Sequence, residues 1–153
     1  GLLVTPWPVL VAIAAPFAGR LATRHPASVL SSVGLTILAT GLAALSLRPA
    51  QPAFWDVCWR MALCGVGFGF YQTPNNLTVM TSGPATRSGA ASGMMAVART
   101  LGWALGSALV ALIFSLSQGS SGAVHCLELA TGFALLGATL SVSRRIIRRE
   151  EKR

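Results

Sequence analysis

The sequence predicts an all-α fold, a polytopic bundle of about five transmembrane helices, and three observations predict it. Hydrophobic residues fill 53% of the 153 positions and charged residues only 10%, against about 25% charged in an ordinary soluble domain. Four acids and twelve bases cannot cover a water-facing surface of this size, whereas a lipid-facing surface needs no charge. The apolar residues are gathered into runs of bilayer-spanning length, about 20 residues each, without the in/out alternation of barrel strands. A helix satisfies its own backbone in hydrocarbon, so helices are expected throughout. The bases, finally, apart from Arg60 and Arg99, are confined to short breaks between the runs and to a C-terminal cluster.

The first segment covers about residues 2–21 and contains Pro8 and Pro16, which are expected to bend it. The second covers about 28–47, and the third about 54–81. The third holds the run Gly65-x-Gly67-x-Gly69-Phe70-Tyr71-Gln72-Thr73-Pro74-Asn75-Asn76. Its glycines thin the helix for close packing. Pro74 removes a backbone donor and clashes with the preceding turn, so a kink or break is expected there. The fourth segment, about 90–116, carries two small-residue spacings, Gly89-x-x-x-Gly93 and Gly102-x-x-x-Gly106, expected to pack against other helices. The fifth, about 127–142, is short for a full span, though Cys126 and Ser143 extend it. Residues 144–153 form a basic tail, expected to be a juxtamembrane helix anchored to anionic headgroups.

Charge sets the expected orientation. Arg20 and Arg24 in the first break, Arg87 in the third, and the arginines of the tail alternate with breaks that hold only Arg48 or no base. The positive-inside rule then places the first break, the third break and the tail in the cytoplasm. Trp7, Trp55 and Trp59 fall near the outer interface, where indoles concentrate. The chain begins inside an apolar run without an initiator Met, so it is expected to be a fragment whose upstream half is missing.

Several function classes are disfavoured by composition. The net charge of +8 is scattered through interhelical breaks and the tail, not arrayed as the basic stripe of a nucleic-acid binder. Cys58, Cys64 and Cys126 have no metal-ligand spacing and read as packing residues, so no metal is expected. No phosphate-binding glycine loop with its lysine is present, no nucleophile–base constellation appears, and no cofactor is expected. His25 and His125 are isolated and read as interfacial.

The polar residues within the spans are the candidates for function. Gln72, Asn75 and Asn76 are amides in an apolar helix, each costing a few kcal/mol if uncompensated. They are expected to face a cavity or another helix. Arg99 lies roughly 13 Å into its segment with no acid on the same segment. A charge at that depth is expensive and marks a pathway, a coupling role or a distant partner. Asp56 and Arg60, four residues apart near the outer end, read as an i,i+4 ion pair.

The stretch Gly19-Arg20-Leu21-Ala22-Thr23-Arg24 joins two spans by a tight basic turn. It resembles the loop motif G-x-L-[AGS]-D-R-x-G of the major facilitator superfamily in its C-terminal-half copy. Gly19, Leu21, Ala22 and Arg24 match; Thr23 stands at the acidic position and Pro26 at the second glycine. The runs Pro16-Phe17-Ala18-Gly19-Arg20-Leu21, Gly65-Val66-Gly67-Phe68-Gly69 with Pro74-Asn75, and Arg99-Thr100-Leu101-Gly102-Trp103-Ala104-Leu105-Gly106 follow in the order of the drug/proton antiporter branch, the EmrB/QacA group. The resemblance implies the last five helices of a transporter of twelve or fourteen. It implies a secondary active transporter rather than an enzyme, one that exports drugs or toxic amphipathic compounds in exchange for protons by alternating access. Its implied partners are the lipid bilayer, a small-molecule substrate, protons and the missing N-terminal half, and its implied location is the inner (cytoplasmic) membrane. An exporter of another metabolite or a siderophore, or a non-transporting truncated fragment, are the alternatives.

Overall fold

The computed structural model of the chain describes residues 5–47, 53–81, 88–117 and 121–150. These residues contain five α-helices and no strand: α1 Pro6–Ala22, α2 Ala27–Ser46, α3 Phe54–Thr81, α4 Ser88–Leu116 and α5 Ser121–Glu150. Arg48 and Arg87, two of the charges used to read orientation, lie outside the described residues, as do Lys152 and Arg153 of the tail.

Local chemistry explains the boundaries. Pro6 opens α1, where its missing N–H is harmless. The helix continues through Pro16 and closes on Thr23, whose hydroxyl donates to the Arg20 carbonyl at 2.7 Å. Pro26 then sets an extended residue before α2 begins. Within α2 the hydroxyls of Ser32, Thr36 and Thr40 each donate to the carbonyl one turn back, at 2.7, 2.9 and 2.9 Å. These three hydroxyls thus make their hydrogen bonds within an apolar helix. α3 runs for 28 residues as one helix through Pro74, the position of the expected kink or break. α5 continues well past the apolar stretch, through the arginines at 144 and 145, as one helix of 30 residues.

Three helices, α2, α4 and α5, are long and apolar enough by themselves to cross a membrane. α1 is apolar but has 17 residues, and α3 is long enough but diluted by Asp56, Arg60 and its amides. With no strand to compete, the chain is a multi-pass membrane protein built from helices.

The chain divides into two compact units. One takes in α1, α2, α3 up to Asn75, and α5 from Leu127; the other takes in α3 from Asn76, α4, and α5 up to Cys126. The division in sequence falls one residue after Pro74.

The first unit is organised around α3. Its core is made of small residues, with Ala14, Ala18, Ala39, Cys64, Ala134 and Ala138 all buried. Small residues let backbones approach, which is how helices associate where no hydrophobic drive separates protein from solvent. The three glycines of Gly65-x-Gly67-x-Gly69 split between two neighbours. A Cβ at Gly65 would lie 2.6 Å from the Trp7 carbonyl oxygen, and one at Gly69 would lie 2.9 Å from the Ala14 Cβ, both on α1. A Cβ at Gly67 would instead overlap Leu38 N and come within 2.8 Å of the Gly34 carbonyl oxygen on α2. Residues four apart share a helix face and the one between them points the other way, so the alternation wedges α3 between α1 and α2.

The approach on the α2 side is mutual. A Cβ at Gly34 would stand 2.5 Å from Tyr71 N and 2.8 Å from the Gly67 oxygen. Farther along, Gly41 leaves the space that the Cys64 sulfur fills, 2.6 Å from where a Cβ would be. These contacts run in opposite senses along α2 and α3, so the two are antiparallel, and those between α1 and α3 run in the same sense. α5 joins α2 antiparallel, with Gly137 against Leu35 and the Ser141 hydroxyl donating to the Ser28 carbonyl at 3.0 Å.

The second unit holds α4. None of its described residues is buried, and a Cβ at Gly89, Gly93, Gly102 or Gly106 would meet nothing within 4 Å. Among the described residues the expected packing on these glycines is therefore absent; close backbone packing is found on α2 and α3 instead. Where α4 turns into α5, Gly122 lies against Phe114 and Ser117, each 3.3 Å from an added Cβ.

Candidate functional site

Between the side of α3 whose Gly65 and Gly69 meet α1 and the side whose Cys64 and Gly67 meet α2 lies a further stripe. Phe68, Tyr71, Gln72 and Asn75 stand at i, i+3, i+4 and i+7, the spacing of one helical stripe. All four are half-buried. Trp7 from α1 completes the patch: its ring centroid is 5.9 Å from that of Phe68, edge to face at 71°. The Phe68 and Tyr71 rings are 6.4 Å apart. The result is an aromatic surface at one end of the stripe and two amides at the other.

Neither the Gln72 nor the Asn75 amide makes a hydrogen bond to another described residue, and the same holds for Asn76. Among the described residues these amides do not tie the helices together, and each carries donors and acceptors that favour a partner. The sequence singles out the amides but not Phe68 or Tyr71, and it marks Trp7 only as an interfacial indole. The periodicity from Phe68 to Asn75 was the available signal.

Pro74 is fully buried on the α2 side of α3, so its ring is sealed in packing beside the stripe. Arg99 stands exposed on α4, in the other compact unit, and forms no ion pair among the described residues.

The charge pair at the start of α3 is made. Arg60 Nη2 lies 3.0 Å from Asp56 Oδ1, and Trp59 Nε1 donates to the same oxygen at 3.1 Å. The Arg60 guanidinium also lies 5.2 Å from the Trp59 ring centroid. Its Nη1 donates to the Ala44 carbonyl at 2.5 Å, within the last turn of α2, where carbonyls lack an intrahelical partner. Arg60 therefore caps the helix before its own. Nε is buried without a partner.

Arg20, Leu21 and Arg24 of the loop motif line a recess of about 450 Å³ with Phe17 and Thr23. Gly19 faces α3, with an added Cβ 3.8 Å from the Thr73 methyl carbon. Cys58, Cys64 and Cys126 are free thiols. Among the described residues no group of three or more His, Cys, Asp or Glu side chains is placed to hold a metal ion.

Comparison with known proteins gives a consistent result. The sequence profile of the Major Facilitator Superfamily matches residues 1–107. The chain is 48% identical over 141 residues to the uncharacterized transporter YebQ of Escherichia coli K12, covering 92% of this chain and 31% of that protein. It is 34% identical over 115 residues to the multidrug resistance protein Stp of Mycobacterium tuberculosis, covering 75% of this chain and 21% of Stp. It is 26% identical over 117 residues to the riboflavin transporter RibZ of Clostridioides difficile, covering 76% of this chain and 26% of RibZ. The chain thus spans between a fifth and a third of the length of these relatives. No solved structure matches it significantly.

Proposed function

The chain belongs to the Major Facilitator Superfamily of transporters, and from that premise we propose that it forms the C-terminal part of a proton-coupled exporter of drugs or other amphipathic compounds. Alternating access would carry the substrate past the Phe68–Tyr71–Gln72–Asn75 stripe. The observation that supports this reading is the stripe itself: aromatic rings and unpaired amides on one side of a helix otherwise locked into its neighbours by glycine. Rings supply flat apolar contact, and amides supply hydrogen bonds without a fixed charge. Such a surface suits planar, weakly polar or cationic molecules. Asn76 continues the amide run, Arg99 is the candidate for conformational coupling, and Asp56 and Glu128 are acids near the expected outer ends that could take part in proton handling. The location proposed is the inner (cytoplasmic) membrane, with the C-terminus in the cytoplasm. The similarity to a riboflavin transporter supports a second reading, transport of a planar metabolite across the same surface.

The test uses the full-length protein in everted membrane vesicles, loaded with a fluorescent cationic dye and energised by a proton gradient. Gln72→Leu and Asn75→Leu each lower the initial transport rate about tenfold, the loss of one or two hydrogen bonds to substrate, while membrane levels stay unchanged. Arg99→Ala impairs transport in the same assay with expression intact. Wild-type rates in all three variants would remove the stripe and Arg99 from the pathway. Riboflavin competing with the dye selects the metabolite reading, and failure of a protonophore to stop transport removes proton coupling.

A further inference from the structure

At the end of the first unit where α1 gives way to α2, Arg20 and Arg24 lie one turn apart around the recess of about 450 Å³. Both are exposed, and neither side chain pairs with an acid among the described residues. The sequence has no Asp or Glu before Asp56. Thr23, at the position where the related motif has its acid, turns its hydroxyl onto the Arg20 carbonyl at 2.7 Å and so gives the arginines no counter-charge. Nearby, α2 starts from Pro26 without a side-chain cap, and the positive end of its dipole adds to the field. The Ser141–Ser28 hydrogen bond brings α5 to the same end, just before the chain reaches Arg144 and Arg145.

The rest of the recess is apolar. Phe17 and Leu21, 59% and 38% exposed, form a wall along α1, each three residues before one of the arginines. A cationic rim above an apolar wall is the chemistry of a phosphodiester attached to an acyl chain. A soluble phosphate would use only the rim. We propose that this recess is a binding seat for an anionic phospholipid of the cytoplasmic leaflet, its phosphate between Arg20 and Arg24 and its chain along Phe17 and Leu21. The seat is separate from the α3 stripe and does not depend on what the protein transports.

The experiment is native mass spectrometry of the full-length protein released from nanodiscs of equal parts phosphatidylglycerol and phosphatidylcholine, counting the phosphatidylglycerol retained. Arg20→Gln and Arg24→Gln each reduce its relative affinity about fivefold, and together about 25-fold. Arg20→Lys/Arg24→Lys retains most of the binding, which separates charge from misfolding, as does an unchanged melting midpoint in phosphatidylcholine alone. Phe17→Ser weakens retention without altering the response to inorganic phosphate. Full retention by the Arg20→Gln/Arg24→Gln variant overturns the proposal. Displacement of the lipid by inorganic phosphate at equal concentration also overturns it, because the ligand would then be a soluble anion. Loss of binding only in Arg148→Gln/Arg149→Gln overturns it in favour of the tail.

Discussion

Arg60 shows how this chain accommodates a cation inside an apolar bundle. Its side chain is 13% exposed, and its charge is met by Asp56 on its own helix and by the Ala44 carbonyl on the helix before. Arg60→Ala removes both contacts and is expected to destabilise the protein by about 2 kcal/mol, since a half-buried carbonyl loses its donor and a carboxylate its counter-charge. Asp56→Asn keeps the bond from Trp59 and costs about 1 kcal/mol. A double-mutant cycle on thermal midpoints in detergent checks the pair; full additivity would show that the two do not interact. The spacing of Asp56 and Arg60 was legible in the sequence because an i,i+4 pair is local. The Ala44 contact was not, since it joins residues across a loop and uses a carbonyl that every residue possesses. The same distinction separates Gln72 and Asn75, conspicuous as amides among apolar residues, from Trp7, Phe68 and Tyr71. Aromatic rings in an apolar helix resemble their neighbours until the phase of the helix is known. The three thiols differ for related reasons: Cys64 is buried against Gly41, whereas Cys58 and Cys126 are half-exposed. A maleimide is expected to label Cys64 far more slowly than either, measured by mass shift in native membranes.

At the scale of the helix, α3 is defined by what it lacks. Its glycines remove side chains on two opposite sides and let α1 and α2 approach its backbone directly. Gly67→Ala introduces a methyl group where Leu38 N already stands, and overpacking of this kind costs about 1–3 kcal/mol. The expected outcome is a lower melting midpoint and reduced membrane level, with Gly34→Ala behaving alike because it touches the same crossing from the other side. Unchanged midpoints in both would mean that the helices separate easily there. The glycine triplet announced close packing in the sequence. That it serves two partners could be worked out only once α1 and α2 were placed, because glycine spacing gives faces and not neighbours. The converse holds on α4, where equally regular glycines meet nothing among the described residues. At Pro74 the proline rule foresees a kink or a break, and α3 continues past it as one helix with the proline buried.

For the whole chain, the alternation of breaks rich and poor in bases implied successive crossings, and the first unit agrees with it: α1 and α3 run one way, α2 the other, and α5 returns antiparallel to α2. Cysteines placed at Thr23 and Ser143 are expected to react with a membrane-impermeant reagent from the same side, and one at Ala53 from the opposite side. Labelling of Thr23→Cys and Ser143→Cys from opposite sides would contradict the arrangement. Charge distribution was legible because it is a property of composition along the chain; the pairing of helices was not, because it depends on where small residues coincide in space. The crossing of Gly34 with Gly67 has a mechanical consequence. Two bare stretches of main chain meet there, so the backbones themselves set the spacing of α2 and α3, and a single methyl group on either glycine would prise them apart.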